Sequence, residues 1–177
     1  LVRLGADVTF ISGPGTVNYP DGVKVVTVET ADEMFSAVNE ALPAEVAIFV
    51  AAVSDWKIEN VQRQKIKKSS RQTAPTLVLA ENKDILSHVS NLKQNRPKLV
   101  IGFAAESENI LENASTKRGK KGCDWIVAND VSLGSGVMGG KSNKISLISE
   151  TNTENWPDMS KENVAERLVE KILKHLN

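Results

Sequence analysis

The sequence predicts an α/β fold, and three observations carry that prediction. Short runs of apolar and β-branched residues alternate with segments whose apolar residues recur every three or four positions, the rhythm of parallel strands joined by crossover helices. The run 46–53 has no polar interruption, as expected where helices cover both faces of a strand. The length of 177 residues suits one domain, residues 1–177, able to bury about 70% of the surface its unfolded chain exposes.

Residues 1–5 read as the last turn of a helix with Gly5 as its left-handed stop, which leaves the start of that helix upstream of Leu1. Residues 7–12 make a first strand closed by Gly13, Pro14 and Gly15, and residues 23–29 a second after the turn at Pro20, Asp21 and Gly22. Thr30 and Glu33 have capping-box spacing, opening a helix with Met34, Phe35, Val38, Ala41 and Leu42 on one face and an end near Pro43. Strand 46–53 is expected at the centre of the sheet, with Asp55 just beyond its carboxyl end, where open α/β sheets place ligands. Residues 57–82 differ in character and read as two strands, 65–68 and 76–80, joined by a polar loop and projecting as an arm.

The alternation then resumes. A helix from Asp84 to about Gln94, a buried strand at 98–105, a helix from Glu108 toward Gly122 capped by Ser107, and a strand at 125–130 follow in turn. A glycine-rich loop at 134–140 leads to a strand at 143–149. A helix at 161–176, capped by Ser160, ends the chain with Val164, Leu168, Ile172 and Leu176 along one stripe.

Composition excludes several classes of function. Twenty-two Lys plus Arg balance 22 Asp plus Glu, so no global positive field draws nucleic acid or an anionic membrane, and anion recognition must be local. Hydrophobic residues make up 41% and the mean hydropathy is -0.22, with no apolar run near the roughly 18 residues of a membrane span. A single cysteine, Cys123, forms no internal disulfide and points to a reducing compartment, by default the cytoplasm.

Several motifs have a chemical and a plain reading. Gly134, Gly136 and Gly139 spell the dinucleotide fingerprint, yet a strand rather than a helix is expected next, which favours a simple loop. His88 and His175 lie on separate helices and Cys123 has no ligand at metal spacing, so a zinc site is not expected. Lys65 and Lys67 share one face of a strand, suited either to a polyphosphate or to protecting an edge. Lys117, Arg118, Lys120 and Lys121 gather at a helix end, where they offset the dipole. Asp55 suits a ribose hydroxyl, a Mg²⁺ ion or a turn, and Asn129 and Asp130 hold the equivalent place on a later strand.

Taken in order, Ala51 to Trp56, Lys65 to Lys68, Leu77 to Leu86, Gly102 to Glu106, Lys117, Lys121 and Ala128 to Val131 resemble the phosphopantothenoylcysteine synthetase family in its bacterial form, over residues 5–150. The resemblance implies a Rossmann-like three-layer fold with a mostly parallel sheet, and a ligase that joins 4′-phosphopantothenate to cysteine. CTP would be consumed through an acyl-cytidylate, releasing CMP and pyrophosphate with Mg²⁺ on the phosphates. It places Phe49, Val50 and Ala51 against the nucleotide, Asp55 near ribose, phosphates or Mg²⁺, and Lys65 on the triphosphate as the catalytic lysine. Lys83, Asp84, Ile85, Leu86 and Phe103 would line the base and sugar pocket, Lys117 and Lys121 would complete it, and Asn129 is assigned to the substrate.

The same resemblance makes 57–82 a dimerisation arm, implies a homodimer, and places a flavin-dependent decarboxylase upstream in the fused bacterial form. Lys83 stands where the family commonly has Pro, and the loop at 134–140 lacks an aromatic often found there. The family's first strand, its phosphate loop and an asparagine that stabilises the acyl-nucleotide would precede Leu1, which leaves turnover by this stretch alone in question. Two other readings stand beside the ligase: a non-catalytic nucleotide-binding or dimerisation fragment, and an NAD-dependent oxidoreductase resting on the glycine pattern.

Overall fold

A computed structural model describes residues 1–15, 18–61, 64, 76–132 and 142–177. After a 3₁₀ turn at Val2–Leu4, Gly5 takes φ 85° and its amide donates to the Val2 carbonyl, the expected left-handed stop. Strands β1 (Thr9–Ser12) and β2 (Lys24–Thr27) pair in parallel as a two-stranded sheet. Helix α1 (Ala31–Glu40) opens with the predicted capping box: the Glu33 amide donates to Thr30 Oγ1, and the Thr30 amide donates to the Glu33 carboxylate.

The main sheet has five strands, in the order β10 (Thr153–Asn155), β9 (Ile145–Ile148), β7 (Trp125–Asp130), β6 (Leu99–Glu106), β3 (Val46–Phe49). Strands β3, β6 and β7 are parallel; β9 is antiparallel to both its neighbours. The central-strand expectation for 46–53 is thereby corrected. β3 ends at Phe49 and lies at the sheet's edge, so its four residues are only half-buried and Val50 is 64% exposed. An apolar run reports the affinity of a strand for cover, not its place in the strand order.

The arm also differs from expectation at its root. Strand β4 (Trp56–Ile58), where the sequence placed no strand, pairs antiparallel with β5 (Leu79–Glu81) in the register Trp56 to Glu81 and Ile58 to Leu79. The expected strand at 65–68 lies outside the described residues, as does the glycine loop 134–140.

Helix α2 (Ile85–Ser90) is shorter than predicted, stopping at Asn91, whose side-chain amide donates to the Ser87 and Lys121 carbonyls. Helix α3 (Ile110–Lys121) starts after Asn109 at φ 45° rather than at Ser107, and ends at Gly122 with φ 73°. The short strands β8 (Ser142–Asn143) and β11 (Met159–Ser160) pair beside α4 (Lys161–Leu176), where Ser160 Oγ accepts the Asn163 amide as the predicted cap.

Alternation along the strands builds two cores. Leu99, Ile101, Trp125, Val127, Ile145 and Leu147 meet Val164, Leu168 and Ile172 of α4, with Trp156 only 1% exposed among them. Val100, Ala104, Ile126, Ala128 and Ile148 face the other way onto Val89 of α2 and Ala114 of α3. Each fully buried Ile or Val contributes about 1.5–3 kcal/mol. The result is three layers, α4 on one face of the sheet and α2 with α3 on the other. Among the described residues no helix is long and apolar enough to cross a membrane.

Candidate functional site

Carboxyl ends of parallel strands, not their middles, leave backbone and side chains free for a ligand, and the strand order breaks here between the β1–β2 pair and β3. At that break lies a cavity of about 450 Å³ lined by residues 12–15 after β1, 28–31 after β2, 51–54 after β3, and by Met34 and Asn82. Glu29 is its one charged lining residue. Beside it an open groove of about 860 Å³ runs along α2 between Phe35, Lys83, Asp84, His88 and Lys93. The two hollows share a boundary at residues 82–84.

Asp84 has two tasks at that boundary. One carboxylate oxygen accepts the Ser87 amide at 2.9 Å and caps α2; the other forms an ion pair with Lys121 Nζ from the end of α3. Two residues 37 positions apart are thus joined because α2 and α3 pack side by side on one face of the sheet. Gly102 of β6 sets the depth of α2: a Cβ there would fall 2.6 Å from Leu86 Cδ2 and 2.8 Å from Ile126 Cδ1. Lys83 Nζ rests 4.3 Å over the Phe35 ring, a cation–π contact that its aliphatic stem suits and a proline would lack.

The remaining predicted residues are distributed as follows. Ala51 lines the cavity. Val50 is exposed at the rim, while Phe49 and Leu86 pack on the α2–α3 face. Asp55 is exposed at the root of the arm, its carbonyl accepting the Asn82 amide at 2.8 Å. Ile85 is buried under α2 and contributes packing. Phe103 is half-buried on the α4 face, opposite Phe49 and Leu86, and Lys117 is half-buried one turn before Lys121. Among the described residues no hydrogen bond or ion pair joins Asp55, Phe103 and Lys117 to one another. Lys65 lies outside the described residues.

Asn129 follows Val127 on the α4 face, and its Oδ1 accepts Asn143 Nδ2 at 3.0 Å. Asp130 is a turn former: Ser132 Oγ and the Ser132 amide both donate to its carboxylate, at 2.6 and 3.0 Å, and hold its carboxyl below the usual aspartate range. Cys123 is buried and burial raises its thiol pKa, His88 is hydrogen-bonded to Asn39 Oδ1, and His175 stacks edge-on against Trp125.

Sequence reasoning missed the walls at 12–15 and 28–31, where Gly13, Pro14 and Gly15 read only as a turn, and it missed Asn82. Asn82 had one signal, a polar residue wedged between a strand and a helix cap.

Comparison with known proteins gives a consistent picture. Over 97% of its length the chain is 37% identical to the coenzyme A biosynthesis bifunctional protein CoaBC of Borreliella burgdorferi, and 38% identical to that of Escherichia coli. It spans about 43% of the length of these curated relatives. The crystal structure of the C-terminal domain of a coenzyme A biosynthesis bifunctional protein CoaBC superposes with a TM-score of 0.77 at 29% identity, covering 99% of this chain and 79% of that one. The profile of the C-terminal domain of DNA/pantothenate metabolism flavoproteins matches residues 1–176, and the chain belongs to that family.

Proposed function

We propose that this chain is the ligase portion of a coenzyme A biosynthesis protein, joining 4′-phosphopantothenate to cysteine at the expense of CTP. The observation that carries the reading is the family match over residues 1–176, together with the Asp84–Lys121 pair at a hollow beside the carboxyl ends of the sheet. A carboxylate is a poor acyl donor because its leaving group would be oxide. In the proposed reaction a carboxylate oxygen attacks the α-phosphorus of CTP and pyrophosphate departs, leaving an acyl-cytidylate. The cysteine amine then attacks the carbonyl, the amide bond forms, CMP leaves and the amine gives up its proton.

In this scheme the chain's own groups bind and orient. Residues 49–51, 83 and 84 contact base and sugar, while Ile85, Leu86 and Phe103 act through packing; Lys65, Lys117 and Lys121 face the triphosphate; Asn129 contacts the substrate. Lys121 exchanges its Asp84 partner for a phosphate oxygen, a trade between two anions that costs little net Coulomb energy. Fixed cations of this kind are each worth about 10²–10³ in rate where charge develops on a leaving group. The described residues hold no cluster of three or more His, Cys, Asp or Glu suited to a metal. That suits Mg²⁺, which binds through one or two carboxylates plus substrate phosphates, and Asp55 is the carboxylate we assign to it. Mg²⁺ there would supply charge neutralisation on the phosphates.

The arm supports a homodimer: Trp56, Ile58, Leu77 and Leu79 are 53%, 41%, 60% and 56% exposed, an apolar surface that a second copy would cover. The reading also carries a decarboxylase domain upstream and a cytoplasmic location. In the full-length protein with phosphopantothenate, cysteine and Mg²⁺, CTP should yield CMP, pyrophosphate and the amide product one to one to one. Absence of pyrophosphate with both CTP and ATP overturns the ligase reading.

A further inference from the structure

Asn82 joins three parts of the molecule that no other described side chain brings together. Its backbone amide donates to the Asp55 carbonyl at 2.8 Å, and its Nδ2 donates to the Ser54 carbonyl at 2.9 Å, 28 residues away in sequence. Ser54 in turn fixes the start of the arm, its Oγ donating to the Trp56 carbonyl at 2.9 Å and accepting the Trp56 amide at 3.3 Å. On its other side Asn82 is followed directly by Lys83 and by Asp84, the cap of α2 and partner of Lys121. The exit of β3, the root of the arm and the start of α2 therefore meet at one residue, on the wall of the 450 Å³ cavity.

Folding alone does not account for an asparagine here. Because Nδ2 is committed to Ser54, the orientation of the carboxamide is fixed, and its Oδ1 is left shielded from solvent with no donor among the described residues. A shielded, unpaired carbonyl oxygen is a cost that a residue selected only for packing would shed. What the asparagine side chain supplies in return is a fixed place for the Ser54 carbonyl, next to the Asp55 carbonyl that the backbone amide of residue 82 already holds, and so for the exposed carboxylate of Asp55.

We infer that Asn82 is a positioning residue for the nucleotide site: by holding the Ser54 and Asp55 carbonyls it sets the Asp55 carboxylate in register with Lys83 and Asp84. The inference rests on the nucleotide reading above, and it assigns Asn82 no contact with the reacting atoms. Its signature is coupling, since a residue that acts through Asp55 matters only while the Asp55 carboxylate is present.

The test is a double-mutant cycle in the full-length protein, read as the dissociation constant for CTP with Mg²⁺. Asn82→Ala removes the carboxamide and adds no charge; Asn82→Asp keeps the size and the backbone N–H but puts a carboxylate in place of the donor, and so serves only for the loop measurement. Asn82→Ala should weaken CTP binding about tenfold beside Asp55 and less than about twofold beside Asp55→Asn. Unchanged binding, or equal weakening in both backgrounds, overturns the positioning role. If the unsubstituted protein binds no CTP, the nucleotide reading falls by itself. The hold of Asn82 on the loop is then judged by hydrogen exchange at the Trp56 amide, which Asn82→Asp must accelerate about tenfold; an unchanged rate overturns it.

Discussion

Gly102 shows how one absent side chain decides how closely α2 lies on the sheet. With hydrogen in place of Cβ, Leu86 lies directly on β6, and the two residues before Ile85 reach the rim of the sheet. Gly102→Ala should overpack this contact and destabilise the fold by about 1–3 kcal/mol in urea unfolding, and loosen the Asp84–Lys121 pair with it; a loss below a few tenths would mean that Leu86 has room the structure does not show. At this scale the sequence was legible where partners are close along the chain. Thr30 and Glu33, Ser160 and Gly5 took their predicted capping roles, because a cap needs only three or four neighbouring residues; Asp84, read as the first residue of its helix, caps it instead. Asn82 and the Asn129–Asn143 pair were illegible for the opposite reason: their partners lie 28 and 14 positions away and become neighbours only once the sheet has formed.

Among the elements, the sheet shows where periodicity misleads. Residues 46–49 and 99–102 read alike as apolar runs, yet the first forms an edge and the second is fully buried, because burial is set by neighbours contributed from elsewhere in the chain. Helix boundaries drifted for local reasons: Asn91 ends α2 by bonding back to Ser87, and Asn109 in the left-handed region delays α3. The joint between β10 and α4 carries a titratable link, Glu154 to Lys171, with both side chains about one-third exposed. The Lys171 ammonium holds the Glu154 carboxyl below the usual glutamate range. A carboxyl whose folded pKa is depressed stabilises the fold above its unfolded value, and that contribution disappears as pH falls through the folded value. Glu154→Gln should therefore be less stable than the parent at pH 7 by a constant margin down to about pH 5, the gap closing as pH falls below about 4. A gap that persists at pH 2 would assign the loss to packing instead; exposure keeps the margin modest in salt.

Over the whole molecule, the two ends of the sheet have divided their tasks. At the amino ends of β6 and β7, Arg96 donates to the Ser90 and Pro97 carbonyls and to both oxygens of Asp124, whose carboxylate also accepts the Val100 amide, a set of bonds that fastens these ends to one another. At the carboxyl ends lie the cavity and an exposed Asp55, and the groove leads from there along α2 past Asp84, which pairs with Lys121. The family resemblance could be read from short motifs spread over most of the chain; Ala51 to Trp56, Gly102 to Glu106 and Ala128 to Val131 stand at or just beyond the ends of strands, and Leu77 to Leu86 runs into the start of α2. What the topology did not reveal was which of those motifs touch. Asp84 and Lys121 do, whereas Phe103 lies across the sheet from Phe49.

The account stands on nucleotide binding at that carboxyl rim, and hydrogen exchange of the full-length protein with and without CTP and Mg²⁺ tests it most directly. Slowed exchange is predicted in peptides covering residues 50–56 and 82–87, with residues 96–100 and 123–126 at the opposite end unchanged. Protection confined to that opposite end, or no protection at saturating CTP, would contradict the account.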